Sequence, residues 1–105
     1  VVQPDILVIC DREKIDENGK YQGTPALVVE VLSESTKSRD LIQKLDLYMQ
    51  SGVKEYWIAN TASREIYIYI FDKYNIKNML AYKGDERAKS NVFQGLGIQL
   101  RQVFI

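Results

Sequence analysis

The chain has 105 residues, 46% of them hydrophobic and 27% charged, which is enough for one ordinary globular domain and no more. Its 14 basic and 14 acidic residues cancel, which argues against tight non-specific nucleic-acid binding through bulk positive charge while leaving room for a local basic patch. A single cysteine, Cys10, rules out an intrachain disulfide and points to a reducing, cytoplasmic setting; the lack of histidine removes most zinc sites, the Ser-His and Cys-His nucleophile pairs, and histidine as general base.

No apolar run approaches the ~20 residues of a membrane span, so no membrane partner is expected. Pro4-Asp5 leads into Ile6-Leu7-Val8-Ile9-Cys10, a short buried strand with an acid at its entrance. Residues 11–25 are polar and punctuated by Asn18-Gly19 and Gly23, a loop or hairpin. Residues 26–33, ALVVEVLS, form the central stretch: a β-branched, apolar strand, covered on both faces, with Glu30 in its middle. An ionised carboxylate in such a strand costs several kcal/mol, on the order seen for buried charges, unless it is paired or metal-bound. Glu30 therefore requires a partner.

Residues 33–38 are hydroxyl-rich and lead into a helix that starts near Ser38 or Asp40 and stops at Gly52. Leu41, Ile42, Leu45, Tyr48 and Met49 share one stripe of that helix, with Lys44 at the margin of the stripe and Asp40 one turn before it. Residues 53–60 predict the next strand, 61–64 a tight connection, and 65–71 a returning strand. That strand alternates Ile66, Ile68 and Ile70 on one face with Tyr67, Tyr69 and Phe71 on the other. The aromatic face is either covered by another part of the protein or forms a subunit interface, which would make a homodimer. A turn over 72–77, a strand over 78–83, a charged loop over 84–90 and a final alternating strand from Ile98 complete the chain. The fold class is α/β in the broad sense, an α+β mixed sheet flanked by helix. One helix over six strands leaves a sheet face poorly covered, so an N-terminal segment or a partner is expected to be missing.

Asp5, Glu30 and Lys44 converge on adjacent elements. Oxygen ligands of this kind suit Mg²⁺ or Mn²⁺, with the backbone carbonyl of Val31 as a third protein ligand. Lys44 would then hold an attacking water or a developing negative charge. Each residue also has a plainer role: Glu30 as a structural ion-pair partner, Asp5 as a turn or cap residue, and Lys44 in a surface pair with Asp40. Tyr48 and Ser33 are supporting positions, Tyr48 and Trp57 as core or site-wall aromatics and Ser33 as part of a loop that caps a helix or touches phosphate.

Pro4-Asp5, the segment Glu30-Val31-Leu32-Ser33, the spacing Asp40…Lys44…Tyr48 and the run Gly52-Val53-Lys54-Glu55-Tyr56-Trp57-Ile58 together resemble the Uma-two family of restriction-endonuclease-like proteins, within the PD-(D/E)XK nuclease superfamily. Residues 90–100 resemble that family's C-terminal strands. The resemblance implies a restriction-endonuclease-like core with an acidic metal site, Asp5 and Glu30 as metal-binding acids, and hydrolysis of phosphodiester bonds, DNA foremost. The superfamily's lysine would fall at position 32, where this chain has Leu32; the resemblance moves that role to Lys44. Relatives carry a helix and strands before the PD motif, so the chain is expected to be the C-terminal portion of one such domain. The alternative is a non-catalytic nuclease-fold module for nucleic-acid or protein binding.

Overall fold

Strand propensity and the spacing of the turns set the element order. In the computed structural model, which describes residues 6–9, 12–32 and 38–104, the chain runs β1 (Ile6–Val8), β2 (Leu27–Leu32), α1 (Ser38–Gln50), β3 (Glu55–Asn60), β4 (Glu65–Asp72), β5 (Asn75–Lys83), β6 (Arg87–Lys89), β7 (Gly97–Gln99) and α2 (Leu100–Val103). A five-stranded sheet has the order β1-β2-β3-β4-β5, and β6 and β7 form a separate two-stranded ribbon. Only β2 and β3 are parallel, as a crossover through α1 requires; the other pairs are antiparallel. This is the mixed α+β sheet expected from the sequence.

The expected loop after β1 is a short hairpin, with an Ile15–Tyr21 bridge and Gly19 at φ +79° in its turn. Helix α1 ends as its sequence predicts. Gly52, at φ +91°, donates its N–H to the Met49 carbonyl at 3.3 Å, and Val53 donates to Tyr48 at 3.1 Å. These are the two bonds of a Schellman cap, and Val53 and Tyr48 are buried in the same apolar cluster. The Ser38 capping reading concerns a side chain outside the described ones.

Strand alternation divides the core between the two sheet faces. On one, α1 lays Tyr48 against Val28, Tyr56, Ile58 and Phe71, and Tyr67 and Tyr69 join them. On the aromatic face of β4, Phe71 is buried in this cluster, while Tyr67 and Tyr69 pack against it and stay partly exposed. On the other face, Leu27, Trp57, Ile66, Ile68 and Ile70 are covered by Ala88 of β6 and Leu100 of α2. The sheet face expected to lie poorly covered is therefore occupied by the chain's own C-terminal segment.

That segment differs from the alternating strand predicted from Ile98. Strand β7 stops at Gln99, and the chain turns into α2, where Leu100 is completely buried. Leu100 donates its backbone N–H to the Glu86 carbonyl at 3.1 Å, and Phe104 closes the turn onto Leu100. An apolar plug is available only if the chain bends inward at that point. Two further boundaries shift. The turn predicted over 72–77 is only the pair Lys73-Tyr74, and part of the charged loop over 84–90 pairs as β6.

Candidate active site

Glu30 occupies the fourth position of β2, opposite Ile58 of β3, and points to the face covered by α1. Only 4% of its surface is exposed. Both carboxylate oxygens are held by α1. Lys44 donates from Nζ to Oε2 at 3.0 Å, and the Tyr48 hydroxyl donates to Oε1 at 2.8 Å. Lys44 and Tyr48 are one helical turn apart, so a single helix face delivers an ammonium and a phenol to one carboxylate. The Tyr48 ring is held in turn by Tyr56, with centroids 5.1 Å apart.

This pairing answers the question that the sequence raised about Glu30, and it changes the reading of α1. Lys44 lies on the inward stripe with Leu41, Leu45 and Tyr48, while Ile42, predicted to share the stripe, is 68% exposed. Lys44 pairs with Glu30 and not with Asp40, whose exposed side chain makes no hydrogen bond to the described residues. The Lys44 side chain keeps 31% of its surface accessible. Its ammonium has three donors, and Glu30 uses one.

Asp5 and Ser33 lie outside the described residues. Val31 follows Glu30 in β2, with its side chain on the exposed side. Trp57 is buried on the opposite sheet face, so it is not a wall of this site; its Nε1 finds no acceptor among the described residues. No group of three or more Cys, Asp or Glu side chains among the described residues is placed to hold a metal. Glu30 itself suits a hard divalent cation: a carboxylate has about four lone-pair directions, and its two recorded hydrogen bonds occupy two of them.

A second buried carboxylate was missed by the sequence reading. Glu55, at the start of β3, is fully buried on the other face. It accepts hydrogen bonds from Ser90 Oγ at 2.5 Å and from the backbone N–H groups of Asn91 at 2.9 Å and Val92 at 3.1 Å, and Ser90 Oγ accepts from the Phe93 N–H. The donors are neutral and the arrangement is closed. It fastens the C-terminal segment to the sheet. The only signal was a carboxylate leading an otherwise apolar strand, the reasoning already applied to Glu30, and its partners lie 35 to 37 residues away.

The profile of the Uma2 family, described as "Putative restriction endonuclease", matches residues 1–101. The chain belongs to the Uma2 family. A solved structure also matches, that of a protein from Anabaena variabilis ATCC 29413 described as "a putative nuclease belonging to DUF820". The TM-score is 0.77 at 17% identity, over 98% of this chain and 59% of that one. At that identity the likeness speaks for the fold, and this Uma2 chain spans little more than half the length of that structure. No curated protein matches. The restriction-endonuclease-like fold and the Uma2 membership expected from residues 4–104 are thus both met. Among the described residues no helix is long and apolar enough to cross a membrane.

Proposed function

We propose that this chain is a restriction-endonuclease-like domain carrying the reacting site of a divalent-metal-dependent nuclease that acts on DNA in the cytoplasm. The observation that carries the reading is the Glu30–Lys44–Tyr48 cluster: a carboxylate sunk in the sheet, held by a lysine whose side chain is still about a third exposed. Membership of the Uma2 family supports the reaction class.

Asp5 is the second acid of the proposal. Ile6, which follows Asp5, pairs with Val29, which precedes Glu30, and opposed residues of an antiparallel pair share a sheet face. Asp5 and Glu30, with the Val31 carbonyl, would hold Mg²⁺ or Mn²⁺. When bound, that ion would supply Lewis acidity to a phosphoryl oxygen and lower the pKa of a water. Tyr48 fixes the carboxylate plane by its bond to Oε1. Lys44 anchors to Oε2 and turns its remaining N–H donors toward the negative charge that develops as water attacks phosphorus and the P–O bond breaks.

Cleavage of labelled oligonucleotides with Mg²⁺ or Mn²⁺ tests this, comparing wild type with Asp5→Ala, Glu30→Gln and Lys44→Ala after each is shown to be folded by circular dichroism. Each variant is expected to lose at least ~100-fold in rate, the scale of removing a transition-state contact. Full activity in all three would refute it. A second reading draws on the same geometry: both oxygens of Glu30 are already bonded within the chain, as in a pair that only fastens α1 in a non-catalytic nucleic-acid or protein-binding module. Oligonucleotide binding without cleavage in either metal, and no heat of Mn²⁺ binding by calorimetry in the folded wild type, would favour that module.

A further inference from the structure

A cleft of about 400 Å³ opens at the end of the sheet where α1 stops, β3 begins and the β4–β5 hairpin turns back. Lys54, Lys73 and Lys77 line it, with Asp72 the one acidic side chain in its wall. All three lysines are exposed, and none is ion-paired among the described residues. In a chain whose charges cancel, this is a local positive excess.

Two backbone irregularities bring the lysines there. The register of β4 against β5 slips between Ile70, opposite Asn78, and Phe71, opposite Ile76, leaving Lys77 as the extra residue of a β-bulge. Bulges re-aim a side chain at the cost of a ladder pairing. The hairpin itself turns on Lys73 at φ +51° and Tyr74 at φ +64°. A two-residue turn with both φ values positive is built most easily from Asn-Gly, and neither a lysine nor an aromatic residue is favoured there. The chain keeps a strained turn, and with it displays a cation and a ring that is 60% exposed. Departures from regular backbone persist where a site benefits from them. The backbone of the third lysine is held at the cleft, since the Lys54 carbonyl accepts the Phe71 N–H at 2.8 Å and Phe71 is buried as part of the cleft wall. Compensation of the negative end of α1, which has no basic residue in its last turn, would account for Lys54 alone.

We propose that this cleft is a phosphate-binding subsite, in which Lys54, Lys73 and Lys77 engage the phosphodiester backbone of a nucleic-acid strand away from the reacting bond and Tyr74 offers a face to a sugar or base. The assignment rests on the nuclease reading for its partner, and on the cleft's own geometry for its chemistry. Lys44 lies six residues before Gln50, the last residue of α1, about 9 Å at the helical rise, and the cleft opens just beyond at Gly52, a span of about three steps of a duplex strand at ~3.4 Å each. A strand reacting near Glu30 therefore has phosphates within reach of the cleft.

The test is fluorescence anisotropy of a labelled duplex and a labelled single strand with the full chain, over a series of salt concentrations, for wild type, K73Q/K77Q and the turn replacement K73N/Y74G. The slope of log affinity against log salt should fall by about two in K73Q/K77Q, and affinity at ~0.1 M salt by roughly tenfold per lysine. The turn replacement should bind more weakly while melting higher, because it relieves the left-handed strain. A backbone-amide NMR titration with inorganic phosphate should shift residues 54, 73 and 77. Wild-type affinity and salt slope retained in both variants would overturn the subsite, whether or not the chain cleaves DNA. No oligonucleotide binding by wild type together with no phosphate shift would overturn it also. Binding that the variants lose, in a chain that never cleaves, would sustain the subsite and count against the nuclease.

Discussion

The most demanding test of the fold is the removal of Glu55. Its carboxylate is completely buried and receives three hydrogen bonds, all from residues 90–92. No cation lies against it among the described residues, so these donors carry the whole compensation. Hydrogen bonds to a charged group contribute ~1.5–3 kcal/mol each, but the three are not additive and their donors are only partly buried, so water can reach the backbone N–H groups once the segment loosens. A net loss of about 3 kcal/mol for Glu55→Ala follows, which lowers the melting temperature of a domain this size by roughly 10–20 °C. Glu55→Gln keeps the shape but turns one acceptor into a donor facing a donor, and should fall between the two. Trp57, the sole tryptophan, is buried beneath the C-terminal cover that Ala88 and Leu100 provide. Its fluorescence should therefore shift to the red in Glu55→Ala before the sheet itself unfolds. An exposed glutamate such as Glu17 provides the control, with an effect within ~0.5 kcal/mol. Thermal melts followed by circular dichroism and by tryptophan emission decide the matter. A melting point within about 2 °C of wild type, with unchanged emission, would refute the claim that Glu55 holds the C-terminal segment.

Tyr48→Phe keeps the ring on Tyr56 but leaves Oε1 of Glu30 without its 2.8 Å donor, and should cost on the order of 2 kcal/mol, read as a lower urea midpoint at unchanged slope. The Asp16 carboxyl is held below its usual range, first by the backbone N–H of Lys20, with the Asn18 N–H and the Gln22 side chain helping to outweigh the opposing effect of desolvation. A depressed carboxyl stabilises the fold above its unfolded pKa and loses that contribution as pH falls through its folded pKa. Asp16→Ala should therefore melt lower than wild type at neutral pH, with the two melting curves converging in strong acid. The Tyr67 hydroxyl is raised by desolvation and by the neighbouring Glu65, so its contribution is present below the unfolded tyrosine pKa and lost as pH rises through the folded one. An absorbance titration of phenolate should lose a late-titrating component in Tyr67→Phe relative to wild type.

Local pattern made most of the sheet legible. The Ile66–Ile68–Ile70 alternation places those residues on one face, and Gly52 ends α1, because each depends on neighbours in sequence. What escaped depends on distant partners. Ile42 fits the apolar stripe on a helical wheel, but Glu30 draws Lys44 inward and rotates α1 so that Ile42 faces out. The Lys73-Tyr74 turn carries no Asn-Gly signature, so its two-residue length could not be read from composition. Leu100 continues an alternating pattern and yet leaves the strand, because the space it fills lies under Trp57 and Ile68. At the candidate site, the sequence brings Lys44 toward Glu30 but gives the carboxylate a metal and Lys44 a water or an Asp40 partner; the direct Glu30–Lys44 ion pair and the Tyr48 bond come from the structure. Asp5 and Ser33 lie outside the described residues.

The two buried carboxylates show why burial alone does not mark a site. Glu55 and Glu30 are both inaccessible, both sit in apolar strands, and both have their oxygens bonded. Glu55 is satisfied by a hydroxyl and two backbone N–H groups, which have no charge to release and no donor to spare; changing its state would only free the C-terminal segment. Glu30 is satisfied by an ammonium whose side chain remains a third exposed, on a helix whose neighbouring turn adds a phenol. That pair can exchange a partner: a divalent cation can take the carboxylate's spare lone pairs while Lys44 keeps donors for a phosphoryl oxygen. Chemistry favours the carboxylate whose counter-charge sits on a partly exposed side chain. On that ground Glu30 is the acid we propose for the reaction, and Glu55 the fastening of the C-terminal segment.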